Sequence, residues 1–249
     1  MRKLFAALAA LAVVLCAPVR AEDLVSGISQ DVIEITSNYT GSDIVVFGAI
    51  ERPVDSGTRD VVVVVRGPDT DVTVRKKARV AGLWINSDQA ILKGMPSYYF
   101  IASTRPVAQI ASTYTLKNFG LGLANLEPSS YHSHHDVEPF RAALVRRMQR
   151  EALYTETSTS VEFLSETLFR VRVPVPASVA RGKYDVDVYL FRNGNAVSAQ
   201  TTPLFVDQTG LERRLFNFAH AEPFIYGVST VLLAVLLGWI SSLLFRQNL

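Results

Sequence analysis

The chain has 249 residues, 49% of them hydrophobic and 19% charged, with 25 basic against 23 acidic side chains. So even a balance excludes the basic face of a nucleic-acid binder. A single cysteine, Cys16, excludes a disulfide scaffold, so stability must come from a packed apolar core.

Arg2 and Lys3 precede an apolar run, Leu4 to Ala17, that can cover only part of a bilayer, and Val19-Arg20-Ala21 offers an A-x-A-like cleavage site before Glu22 and Asp23. Residues 1–21 therefore read as a secretory signal peptide. Cys16 is a poor acylation site, because Leu15 stands where a lipobox needs a small side chain. Cleaved or kept as an anchor, such a segment leaves its basic end in the cytoplasm and exports the domain C-terminal to it. Without Arg2, Lys3 and Arg20 the balance becomes 22 minus 23, or −1, and the cysteine is gone.

Residues 22–207 are long enough for one packed domain with an insertion. Val32 to Thr36, Ile44 to Ile50, Val61 to Val65, Val72 to Arg75 and Val80 to Asn86 are short apolar runs. They are divided by turn-like stretches: Asn38 to Ser42, Asp55-Ser56-Gly57, Gly67-Pro68-Asp69 and Lys76-Lys77. Strands at this spacing predict a β-sandwich or barrel. From about 105 to 156 the pattern changes: Phe140, Ala143, Leu144, Met148 and Ala152 recur at helical spacing, with Asp136 as a cap and Pro139 in the first turn. A shorter helix is expected from about Val107 to Phe119, stopping at Gly120. Then period-2 alternation returns in Phe169, Val171 and Val173 against Arg170 and Arg172, and in Tyr184, Val186, Val188 and Leu190 against Asp185, Asp187 and Tyr189. Asn193-Gly194-Asn195 predicts a tight hairpin returning through Val197 to Thr201. The fold class is mainly β: an immunoglobulin-like sandwich ectodomain with a helical insertion, plus one C-terminal transmembrane helix.

After a juxtamembrane linker, 208–223, residues 224–245 run without a charge. At about 1.5 Å per residue such a helix reaches about 33 Å, enough to cross a hydrocarbon core of about 30 Å. The signal peptide sets the direction: an exported domain and a cytoplasmic tail, 246–249. Thr230, Ala234, Gly238 and Ser242 follow each other at intervals of four. A stripe of small residues lets a partner helix approach closely.

Chemical candidates are few. Tyr131-His132-Ser133-His134-His135-Asp136 brings three imidazoles and a carboxylate together, a set suited to Zn²⁺ or Cu²⁺, but spacings of two and one fit a polar loop ending in a helix cap better than a tetrahedral site. No metal ligand is therefore assigned to His132, His134 or His135. Asp185 and Asp187, two apart on one strand, read as alternation on a wet sheet face rather than as paired catalytic carboxylates. Trp84 and Tyr98-Tyr99-Phe100 read as core or sheet-surface aromatics. Arg75-Lys76-Lys77 with Arg79 reads as a solvated turn, with contact to anionic headgroups the alternative. The sequence holds no G-x-S-x-G elbow, H-E-x-x-H helix or phosphate-cradling glycine loop.

Ile44-Val45-Val46-Phe47-Gly48-Ala49, Val61 to Pro68, Val80-Ala81-Gly82-Leu83-Trp84-Ile85-Asn86, Pro96-Ser97-Tyr98-Tyr99, Gly120 to Leu123, Glu151 to Tyr154, Gly182 to Arg192, Ser198 to Val206 and Phe218-Ala219-His220 together resemble the alphaproteobacterial putative transmembrane protein family. The resemblance covers nearly the whole exported chain and the final helix. It implies a signal-bearing, single-span protein whose gene is often found beside a sulfite-exporter-type permease of the TauE/SafE class. It supplies no catalytic residue and no cofactor.

The expected function is that of a non-enzymatic periplasmic accessory protein, anchored in the inner membrane with its C-terminus cytoplasmic. Thr230, Ala234, Gly238 and Ser242 would face a multi-span permease. The alternative is a membrane-tethered periplasmic ligand or metal sensor. A four-residue tail is too short to signal alone, which favours the accessory role.

Overall fold

The computed structural model describes residues 23–36, 38–51, 58–134, 136–158, 160–208, 216 and 218–246. The expected signal peptide lies outside them, as do residues 209–215 and 217 of the expected linker. Strands are numbered in chain order. The first sheet runs β1 (Asp23–Ile28), β3 (Ser42–Glu51), β11 (Leu168–Val175), β10 (Glu162–Phe163), antiparallel throughout. The second runs β2 (Val32–Ile35), β13 (Asn195–Gln208), β12 (Gly182–Arg192), β4 (Arg59–Arg66), β7 (Tyr99–Ser103), β9 (Tyr154–Ser158), with parallel pairing only at its two edges. A third sheet joins the long hairpin of β5 (Asp69–Val80) and β6 (Leu83–Pro96) to β8 (Ser130–Ser133). The chain is mainly β, as its alternation predicts.

Period-2 patterning places the core. Ile44, Val46 and Ile50 from β3 and Phe169, Val171, Val173 and Val175 from β11 are buried, while Arg170 points outward into an ion pair with Glu162 at 2.9 Å. They join Tyr184, Val186, Val188 and Leu190 of β12 in one apolar cluster. The two sheets are also clamped by polar atoms: the Gln200 side chain accepts from Ser26 N at 2.6 Å and donates to Ser26 O at 3.2 Å. The predicted hairpin is present, with Asn193 at φ 49° and Gly194 at φ 85° between β12 and β13. Two successive positive φ values match the right-handed twist of the paired strands.

Strand β4 explains the rest of the architecture. Val61 to Val65 are all buried, on both faces of the strand. Val61, Val63 and Val65 look into the sandwich. Val62 and Val64 look the other way, where the segment between β7 and β9 covers them. That insertion contains α1 (Val107–Ile110), α2 (Thr113–Asn118), a 3₁₀ turn at Leu123–Asn125, β8 and α3 (Glu138–Arg150). The single helix expected over 107–119 is broken, because Ala111 is extended and Ser112 caps a new start by accepting from Thr115 N at 3.2 Å. Gly120, at φ 60°, ends α2 as expected: Leu121 N bonds Leu116 O at 2.8 Å and Gly120 N bonds Lys117 O at 3.1 Å, a Schellman cap. Asp136 accepts from Glu138 N at 3.2 Å at the start of α3, whose Phe140 and Leu144 are buried.

Two local expectations need correction. Lys76-Lys77 is not a turn: β5 continues through it, with a bulge opposite, and the chain reverses at Ala81 (φ 50°) and Gly82 (φ 86°), inside the run Val80–Asn86 that read as one strand. The face carrying Asp185 and Asp187 is not wet throughout, because the insertion lies over it and buries Asp187.

Candidate functional site

Helix α4 (Pro223–Arg246) begins at a proline, where a missing N–H goes unnoticed, and carries no charge before Arg246. Its span Pro223–Ser242 is long and apolar enough to cross a bilayer, and none of it is buried against the other described residues. Thr230, Ala234, Gly238 and Ser242 share one face. A Cβ built on Gly227 or Gly238 meets nothing within 4 Å, so no described residue packs at either glycine. The hydroxyls near its start return to their own helix, Ser229 to Ile225 O at 2.7 Å and Thr230 to Tyr226 O at 2.8 Å. They bring no unpaired donor into the apolar region.

In the β-rich domain, charged groups meet on the outer face of the second sheet. The Arg66 guanidinium, at the end of β4, ion-pairs with Asp187 on neighbouring β12. It also donates to Phe119 O at 2.7 Å and lies 6.0 Å from the Tyr99 ring centre. Asp187 accepts a further bond from Thr201 Oγ1 at 2.7 Å. One arginine thus fixes the cap of α2 to the sheet. At the insertion's entry, buried Asp60 accepts from Arg105 Nε at 2.7 Å and Thr104 Oγ1 at 2.8 Å, and Arg105 Nη2 closes the bidentate pair. These are satisfied structural networks that tie the insertion to the sheet. Sequence reasoning missed both, since nothing local shows which arginine reaches which carboxylate. A recess of about 520 Å³ lies beside Arg66, lined also by Lys117, Phe119, Asn125 and Glu127. Its rim is neutralised by a 3.0 Å Lys117–Glu127 pair.

The buried tyrosines behave alike. Tyr98 donates to Pro174 O and Tyr154 to Pro96 O, each at 2.6 Å. Tyr99 donates to Gly120 O at 3.0 Å while accepting from Gly122 N at 2.9 Å. Burial raises the phenol pKa of Tyr98, Tyr99 and Tyr154, and pushes Tyr184 up to about 12. All four remain neutral donors at any physiological pH. Tyr98, Tyr99 and Phe100 are core, whereas Trp84 stands in solvent on the β5–β6 hairpin. His132 on β8 and His134 beyond it are exposed, His135 lies outside the described residues, and Asp136 is engaged at the α3 start. Among the described residues no group of three or more His, Cys, Asp or Glu side chains is placed to hold a metal ion.

Comparison with known proteins agrees with the anchor. A family profile described as "Putative transmembrane protein (Alph_Pro_TM)" matches residues 23–247. No curated protein matches the chain. Among solved structures the chain is similar to AggA, the major subunit of aggregative adherence fimbriae type I of Escherichia coli, at 12% identity over 76% of this chain and 95% of that one, with a TM-score of 0.25.

Proposed function

The chain belongs to the alphaproteobacterial putative transmembrane protein family, and from that premise we propose that it is a non-enzymatic accessory protein with a periplasmic β-rich domain and a single inner-membrane anchor. The observation that carries this reading is α4, apolar along its whole span and uncovered by any of the described residues. The two arginine–carboxylate networks support it, because they hold the insertion in place rather than present a reactive group. The open face of Thr230, Ala234, Gly238 and Ser242 supports docking on a multi-span partner. The gene neighbourhood implied by the resemblance makes a sulfite-exporter-type permease the partner to test.

Anchoring and direction are tested in spheroplasts. Carbonate washing should leave the chain in the membrane fraction, and added protease should remove the ectodomain while sparing α4. Release by carbonate, or an ectodomain untouched by protease, ends the proposal. Partnership is tested by detergent pull-down. Placing a large side chain on this face with Gly238→Leu should lower permease recovery about tenfold, as expected for losing a close helix contact of about 1–2 kcal/mol. Equal recovery with both forms, or none with either, removes the permease from the reading.

A further inference from the structure

The β5–β6 hairpin outruns the helix that covers its base. Near the domain, Val72, Val74, Ala90 and Leu92 pack into the core beside α3. Past Lys76 and Asp88 the same side of the ladder continues as Ala78 paired with Ile85 and Val80 paired with Leu83. Nothing among the described residues covers this end: Leu83 is 71% exposed, Val80 52% and Ile85 46%. The opposite side pairs Arg79 with Trp84 and Lys77 with Asn86, and Trp84 is 69% exposed. The tip is therefore apolar on one side and aromatic and cationic on the other. It is held open by a turn whose two central residues, Ala81 and Gly82, have positive φ. Four large apolar side chains in water at the end of one finger mark an interaction site.

Charge decides what it meets. Residues 75–89 carry Arg75, Lys76, Lys77 and Arg79 against Asp88, or 4 − 1 = +3. Residues 22–249 together carry −1, so everything outside the finger sums to −4. Positive charge is thus concentrated where apolar side chains are exposed, and two such tips repel, which argues against tip-to-tip pairing of two copies. Tryptophan, aliphatic side chains and a basic cluster together suit the interface of an anionic bilayer, where the indole sits at headgroup level and the cations meet phosphates. A bilayer is close by. The domain is tied to α4 through residues 209–222, which even fully stretched reach only about 50 Å at about 3.3–3.6 Å per residue. The projecting finger, about six residues per strand, spans about 20 Å. We infer that the β5–β6 tip is a second membrane contact, in which Leu83, Trp84 and Ile85 enter the surface of an anionic phospholipid bilayer and Arg75, Lys76, Lys77 and Arg79 bind its phosphates. The inference needs only the membrane anchor and is independent of any permease.

The chain has two tryptophans, Trp84 and Trp239. A full-length Trp239→Phe protein therefore reports on the tip alone. Reconstituted into vesicles of phosphatidylcholine with a third phosphatidylglycerol, Trp84 emission should be blue-shifted and quenched by brominated lipid. In phosphatidylcholine alone, or in high salt, both effects should shrink. Lys77→Glu with Arg79→Glu should restore water-like emission, with circular dichroism confirming that strand content is kept. An indole that stays water-like and unquenched in both vesicle types overturns the proposal and leaves a protein as the occupant. A shift that follows protein density rather than lipid charge also overturns it, in favour of a second copy.

Discussion

Arg66→Leu is expected to destabilise the β-rich domain by about 3–4 kcal/mol, the lower part of the range for removing one member of a buried charge pair, because the two side chains keep 26% and 13% of their surface exposed. The guanidinium serves Asp187 and the Phe119 carbonyl together, and the carboxylate left behind would retain only Thr201 among the described residues, in a site covered by the insertion. Adding Asp187→Asn removes the stranded charge without changing shape, so the double variant should recover more than half of the loss. Urea unfolding of the full chain in mild detergent checks this: at about 2 kcal/mol per molar the single variant's midpoint falls by roughly 2 M. A loss of less than about 1 kcal/mol would mean that the pair behaves as a solvated surface bridge and that the insertion is held by something else. The Gly120–Gly122 segment should also lose amide protection in the single variant, because its cap loses an anchor.

Gly48→Val should be nearly as damaging, at about 3 kcal/mol or more. Gly48 pairs with Phe169 across β3 and β11, and the buried Phe169 ring lies over it. A Cβ at Gly48 would stand 2.5 Å from Phe169 Cζ and 2.9 Å from the Val25 carbonyl oxygen. The ring has nowhere to go in a filled core, and the carbonyl belongs to the paired backbone of β1. Gly27→Ala is the control: the nearest atoms to its Cβ are at the tip of the half-exposed Phe47 ring at 3.1 Å, which can swing aside. Thermal midpoints should separate the two sharply. In a Phe169→Leu background the Gly48→Ala penalty should shrink; equal penalties in both backgrounds would show that ring contact is not the cause.

What could be read from the sequence followed the strength of local periodicity. Phe169 to Val173 and the Asn193-Gly194 hairpin were plain because alternating charge and positive-φ residues write their structure locally. Phe140 and Leu144 likewise marked the buried side of α3, though Ala152, at φ 55°, lies beyond its end. Lys76-Lys77 misled because two charged residues mimic a turn, while the true reversal uses Ala81, a residue with no special preference for φ 50°. Asp187 misled for a different reason. Alternation reports that a strand has two faces but not what will cover the second, and the cover comes from residues far along the chain. The candidate sites divide in the same way: α4 and its small residues are legible from composition, whereas Arg66–Asp187 and Asp60–Arg105 exist only once distant segments meet.

The placing of β4 sets a hazard for the newly made chain. Val61 to Val65 end up between β7 and β12, but β12 begins at Gly182, more than a hundred residues later. As the polypeptide emerges from its N-terminus, five consecutive valines wait with at most one of their two neighbours. Such a ribbon invites pairing with the wrong molecule. Asp60 and Arg66, which later form the two arginine–carboxylate pairs, stand at either end of it as charged guards during that interval. The same two side chains thus discourage clumping before the sheet closes and fasten the insertion afterwards.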